Sequence, residues 1–324
     1  MGFDRLAVDR LMRVGVVFPG QGSQSVGMGG AIVARYPVAA ELFARAERIL
    51  GYDIGAIITG GPEETLRETR YSQPAIYLTN YALAAAAGDA LGVVASAGHS
   101  FGEYCSLTLA GALSFDDALA LVNQRGLAMQ EAAERAPGAM AAILGLEPAK
   151  VRAAAEGARD AGRVRLANFN APGQIVVSGD RDAVARAGEL ALAAGAKRVV
   201  PLNVSGAWHS ELMAPARERF APYVAAARIE LPRFTVISNV DAQPYRDVAT
   251  IRENLVRSVT DEVLWHEAAE RLVAEGLDRI VEFGGSAVLT PLLKRLSGAP
   301  PAVHVGDERG LESLAAKLGA GSSA

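Results

Sequence analysis

The chain predicts an α/β protein built on a mostly parallel sheet, with a smaller antiparallel unit inserted in its middle. Three observations lead there. Short β-branched runs at residues 14–18 and 93–97 alternate with long apolar-periodic stretches. Residues 140–204 instead read strand, helix, strand, strand, helix, strand. At 324 residues, half of them hydrophobic, the chain exceeds one typical domain and can bury a sizeable core.

Taken in order, residues 14–18 form an apolar strand that runs into Pro19-Gly20 and a glycine-rich loop to Gly27. A helical pattern follows through Leu42, Phe43, Ala46 and Ile49, and another at 74–91 is apolar nearly all round, so it is expected to be buried. The strand 93–97 ends at Gly98-His99-Ser100-Phe101-Gly102, and a helix-like run continues to Ala112. In the middle unit, strands at 140–146, 163–168, 174–178 and 198–204 enclose helices at 151–161 and 183–194. The turn Asn170-Ala171-Pro172-Gly173 makes the central pair a hairpin. This β-α-β-β-α-β order is that of a ferredoxin-like unit. Beyond it come a strand at 236–239, helices from Ile251 and from His266, and a strand at 279–283 before Gly284-Gly285. The tail 319–324, small and polar, reads as disordered.

Composition narrows the function. A net charge of −4 offers no general attraction to nucleic acid or anionic lipid, so an acidic partner would need a local basic patch. The single cysteine, Cys105, excludes an internal disulfide. Residues 1–13 mix Asp4, Arg5, Asp9 and Arg10 with apolar residues and lack a signal-like core, and the alanine run 82–87 is cut off by Asp89. A cytoplasmic location is expected. Walker loops, zinc-ligand spacings and dinucleotide fingerprints are absent, so no metal or bound cofactor is expected.

The chemistry concentrates at Gly98-His99-Ser100-Phe101-Gly102, a G-x-S-x-G nucleophile elbow. A serine on a sharp strand-to-helix turn exposes its hydroxyl. The new helix N-terminus offers unpaired N–H groups to a developing oxyanion. Five-residue matches occur by chance, but the strand before and helix after supply the required context. A serine nucleophile needs a base. Of the four histidines, His99 is adjacent to Ser100 and diverges from it, while His266 and His304 read as packed or surface residues. His209 stands in a loop leaving an apolar strand, where α/β folds present catalytic groups, although a structural histidine is the plainer alternative. To orient it, Asp180, Asp241 and Asp261 are available, each more readily read as a solvated loop acid, and a backbone carbonyl could serve instead. The N–H of Phe101 and a second from Gly20-Gln21-Gly22 could make an oxyanion hole. By spacing, Arg125 at the end of a helix is a solvated residue; turned inward, its fork would suit a carboxylate.

Together these residues resemble the malonyl-CoA:acyl carrier protein transacylases and the related acyltransferases of polyketide synthases. The resemblance spans residues 14–295, through Phe18-Pro19-Gly20-Gln21-Gly22-Ser23-Gln24, Ser72-Gln73-Pro74-Ala75, Gly98-His99-Ser100-Phe101-Gly102-Glu103 and Arg125-Gly126. It continues through Gly138-Ala139-Met140, Asn168-Phe169-Asn170-Ala171-Pro172-Gly173-Gln174, His209-Ser210-Glu211-Leu212-Met213 and Leu289-Thr290-Pro291-Leu292-Leu293-Lys294-Arg295. It implies an α/β-hydrolase-like catalytic domain of residues 1–135 and 207–324 with a ferredoxin-like insertion at 136–206. It also implies a ping-pong transfer through an acyl-serine, in fatty acid or polyketide synthesis, from acyl-CoA as donor to the phosphopantetheine thiol of an acyl carrier protein.

Carried over, Ser100 resembles the nucleophile, His209 the general base, Arg125 the malonyl-carboxylate partner, and the N–H groups of Gln21 and Phe101 the oxyanion hole. Ser258 stands where relatives place a glutamine whose carbonyl orients the histidine. Trp208, Ala207 and Leu264 fall where the family varies with acyl choice. Because carriers are acidic, Lys197, Arg198, Lys294 and Arg295 are candidates for docking, against the plainer reading of solvated charge pairs. Two other readings compete: a thioester hydrolase or carrier-to-carrier shuttle on the same fold, and a non-catalytic binding module. Loss of malonyl loading on removing Arg125 separates the first; an intact Ser100, His209 and Arg125 argues against the second.

Overall fold

The computed structural model describes residues 12–88, 91–204 and 206–319. The readings of the N-terminus, of Asp89 and of the C-terminal tail lie largely outside them.

Five strands form one sheet: β1 (Val14–Phe18), β2 (Val93–Gly98), β7 (Thr235–Ile237), β8 (Arg279–Phe283) and β9 (Ala302–Val305), in the order β7-β2-β1-β8-β9. All four pairings are parallel. Helices cover both faces, which is why β1 reads as an unbroken apolar run with every residue buried. Four strands form a second, antiparallel sheet: β3 (Ala139–Leu144), β4 (Val164–Ala171), β5 (Gln174–Gly179) and β6 (Arg198–Pro201), in the order β4-β5-β3-β6. Helices Pro148–Glu156 and Arg181–Ala193 pack on it around a core confined to residues 141–191.

Several boundaries differ from expectation. The buried helix runs over Thr69–Ala87 rather than 74–91, with Pro74 inside it. Proline lacks an N–H to continue the ladder, but tertiary burial along most of this helix outweighs the lost bond. The expected helix 151–161 is Pro148–Glu156, beginning with proline in its first turn, followed by a separate short turn at Arg159–Ala161. Arg125 does not end its helix: it lies midway along Phe115–Arg135, capped by the Ser114 side chain. Among the described residues no helix is long and apolar enough to cross a membrane.

Register explains where the site falls. Phe18 of β1 pairs with Gly98 of β2, and Ala97 with Ile237 of β7. The three loops that follow these strands, carrying Gln21, Ser100 and Asn239, therefore leave the carboxyl edge of the sheet side by side.

Candidate active site

The turn after β2 is as tight as the elbow motif requires. A Cβ on Gly98 would fall 2.0 Å from the Gly102 carbonyl carbon, and one on Gly102 would fall 2.3 Å from Phe18 O. Both obstacles are backbone and cannot swing aside, so no other residue fits. Between them Ser100 takes φ 52°, a left-handed conformation uncommon for a residue with a side chain. The helix Gly102–Leu109 begins immediately after.

His209 also has a left-handed backbone, φ 59°. Its Nε2 lies 3.0 Å from Ser100 Oγ, while its Nδ1 lies 3.0 Å from the carbonyl oxygen of Asp261. With Nδ1–H donating to that carbonyl, Nε2 is the bare nitrogen and accepts from the serine hydroxyl. The carbonyl at 3.0 Å from the ring is that of Asp261, and the Ser258 carbonyl that the resemblance implied is a second backbone acceptor beside it. The Asp261 carboxylate is occupied elsewhere, by Arg257 Nε at 2.9 Å and Thr260 Oγ1 at 3.0 Å. Burial pushes the His209 pKa down to about 3, aided by the positive charge of Arg125 and by His99. The imidazole is neutral at neutral pH.

Arg125 points inward. It is 1 % exposed, donates from Nη1 to Gln73 Oε1 at 2.9 Å, and reaches Ser100 Oγ with Nη2 at 3.4 Å. Its Nε has no partner, and no carboxylate among the described residues forms an ion pair with it. Burial lowers its pKa, but a guanidinium remains charged at any ordinary pH. A buried, under-satisfied cation is costly unless an anion completes it. The plain sequence reading of a solvated helix residue is overturned by the rotation of the helix, which aims this position at the elbow.

These groups line one cavity of about 510 Å³. Gln21, Phe101, Trp208, Met129, Met140, Val176, Leu202 and Val204 complete much of its wall, with Arg67, Asn203 and Gln174 among its other lining residues. The Ser100 N–H donates to Asn239 Oδ1 at 3.0 Å and is therefore not free for a group bound in the cavity. Of the three residues expected to govern acyl choice, Trp208 lines the cavity. Ala207 is fully buried against Gly138, and Leu264 precedes the helix Trp265–Val273 and packs on its core. His99 is held by Asn170 Oδ1 at 2.8 Å, His304 by Gly284 O at 2.8 Å, and His266 sits 3.5 Å from Glu270, so none competes with His209.

The basic candidates gather around the β4–β5 turn. Lys197 and Arg198 are exposed, and the Lys197 stem lies over Gly145, whose N–H bonds Gly173 O at 2.7 Å. Arg295 is not a free charge: it donates to Gln174 Oε1 at 2.6 Å and Pro172 O at 2.7 Å. Lys294 is exposed beside it. Among the described residues no group of three His, Cys, Asp or Glu side chains is placed to hold a metal ion.

A model of the acyl transferase domain matches residues 16–307. The malonyl CoA-acyl carrier protein transacylase of Salmonella typhimurium is 43 % identical over 282 residues, covering 86 % of this chain and 91 % of that protein. The chain belongs to the malonyl CoA-acyl carrier protein transacylase family. Solved transacylase structures agree. One, a type II polyketide acyl carrier protein in complex with its malonyl-transacylase, has a TM-score of 0.89 at 38 % identity, covering 93 % of this chain and 98 % of that one. Another, an acyl carrier protein S-malonyltransferase from Vibrio cholerae, gives 0.87 at 40 % identity, covering 93 % and 99 %.

In the sequence Asn239 shows only as a strand residue, Gln73 and Glu103 only as parts of motifs, and Asp261 only as an available carboxylate. Each acts through a contact that spacing along the chain does not encode.

Proposed function

We propose that this transacylase-family chain carries a malonyl group from coenzyme A to the phosphopantetheine thiol of an acyl carrier protein. The observation that carries the reading is the buried, unpaired Arg125 guanidinium 3.4 Å from Ser100 Oγ, beside the 3.0 Å contact of that hydroxyl with His209. A malonyl thioester has a carboxylate one methylene from its reactive carbonyl. A group of that length spans from a guanidinium to an adjacent nucleophile, and an acyl group without a carboxylate leaves the cation unpaired.

In the reaction, Ser100 Oγ attacks the thioester carbonyl carbon as its proton passes to His209 Nε2. The N–H groups of Phe101 and Gln21 hold the tetrahedral oxyanion. Collapse breaks the carbon–sulfur bond, and coenzyme A leaves as a thiol with the proton from His209. The carrier's thiol then enters, gives its proton to His209 and attacks the malonyl-Ser100 ester, restoring the serine. The Asp261 carbonyl keeps Nε2 facing Ser100 throughout.

The fold supports the finer architecture implied by the resemblance. A parallel sheet with the elbow after an inner strand suits an α/β-hydrolase-like domain of residues 1–135 and 207–324. The sheet order β4-β5-β3-β6 with two helices and its own core suits a ferredoxin-like insertion at 136–206. The cavity lies between them, lined from both.

Intact-mass measurement after incubation with malonyl-, methylmalonyl-, ethylmalonyl-, acetyl- and a long acyl-CoA tests the reading. A malonyl adduct absent from Ser100→Ala is expected; an adduct only with the acetyl or long acyl group, or none at all, would overturn it.

A further inference from the structure

Behind Ser100, away from the cavity, lies a buried polar group that the reaction scheme leaves without a role. Asn239, 1 % exposed, uses every hydrogen-bonding group it has. Its Oδ1 accepts the Ser100 N–H at 3.0 Å and its Nδ2 donates to Ser100 O at 3.1 Å, so one amide grips both backbone polar groups of the serine. Its own N–H donates to Glu103 Oε2 at 2.8 Å, Nδ2 also donates to that oxygen, and its carbonyl accepts from Leu264 N at 2.9 Å. Glu103, 2 % exposed, in turn accepts from the hydroxyl of Tyr245 through Oε1. A carboxylate buried in the first turn of a helix faces the positive end of the dipole, but here its bonds go to Asn239 and Tyr245 from another loop.

We propose that Asn239, locked by Glu103 and Tyr245, is the positioning residue that holds Ser100 in its left-handed conformation and directs the oxyanion to Phe101. A serine at φ 52° relaxes toward ordinary backbone angles unless its neighbours over-determine it, and a two-point clamp on N–H and C=O does so. Because the clamp occupies the Ser100 N–H, that group cannot compete with the Phe101 N–H for the oxyanion. Asn239 touches neither Arg125 nor His209, so the inference concerns attack, not binding. It rests on Ser100 being the nucleophile.

The experiment compares Asn239→Ala, Asn239→Asp and Tyr245→Phe in the full chain. Two readouts are taken: malonyl loading, and the labelling rate of Ser100 by a fluorophosphonate, which needs no acyl substrate. For Asn239→Ala, kcat and labelling are expected to fall on the order of ten- to a hundredfold, as for a nucleophile displaced by a fraction of an ångström. KM for malonyl-CoA stays within about twofold, since the carboxylate contact is untouched. Asn239→Asp keeps an acceptor for the Ser100 N–H but loses the donor to Ser100 O and sets two carboxylates together, so it falls similarly; Tyr245→Phe removes only the bond to Glu103 Oε1 and lowers both readouts a few-fold. Unchanged labelling in Asn239→Ala, or a change confined to KM, would overturn the inference. If Asn239→Ala does not fold, unchanged labelling in Tyr245→Phe overturns it instead. Failure of the wild-type chain to form a malonyl adduct would sink the transferase reading alone, and the labelling comparison would still decide the role of Asn239.

Discussion

Arg125→Ala separates activity from stability with opposite signs. In the wild-type chain the guanidinium has one good bond, to Gln73, one long one, to Ser100 Oγ, and an unpartnered Nε. A bound carboxylate would complete it through charge-assisted bonds worth about 1.5–3 kcal/mol each, so two such bonds amount to about 3–6 kcal/mol. Truncating one side of a buried charge pair costs about 2–5 kcal/mol by another route. The overlap, about 3–5 kcal/mol, converts to a loss of about two hundred- to several-thousand-fold in kcat/KM for malonyl-CoA. Because the carboxylate is held before and during attack, most of the loss should fall on KM. Acetyl-CoA, which now faces an unpaired cation, should load as well or better in the variant. Stability should hold within a few degrees or rise, because a buried unpaired charge is exchanged for a void that water can enter. Loading rates from quenched mass measurement and a thermal melt check both halves. A variant that still loads malonyl within about tenfold of wild type would refute the carboxylate role.

Four further outcomes follow from other contacts. Removing the positive charge of Arg125 should raise the pKa of His209 from about 3, so the acid limb of fluorophosphonate labelling should move to higher pH in Arg125→Gln. The same depressed pKa lies below the ordinary value of 6.5, so unfolded chains bind the proton first. Stability from this site is therefore full above about pH 6.5 and lost as pH falls toward 3, by at most about 5 kcal/mol, and urea melts of His209→Gln should show a flatter acid dependence. Trp208→Ala should let methylmalonyl-CoA load, because the indole forms cavity wall; unchanged selectivity in the mass assay would remove it from that wall's function. Lys197→Glu with Lys294→Glu should raise the carrier's KM several-fold and leave that for malonyl-CoA unchanged, the effect shrinking with salt.

The sequence by itself determined the parallel sheet and the four-stranded antiparallel unit, and it singled out Ser100 and His209, which the structure places 3.0 Å apart. These signals are local: β-branched runs, a hairpin turn, and an elbow whose glycines are required by contacts within a few residues and one neighbouring strand. It also carried the acyl-transfer family, through motifs spread over most of the chain. Only tertiary structure decided the rest. Whether Arg125 faced solvent or Ser100 depended on the rotation of a 21-residue helix, which its packing sets and its spacing does not. That Asp261 offers its carbonyl to the ring as well as Ser258 depended on how the chain leaves the helix Val248–Arg257, since every residue carries a carbonyl and none is marked by its side chain. Asn239 reaches Ser100, 139 residues away along the chain, because β7 pairs with β2, a long-range register that a single strand's apolar pattern cannot specify.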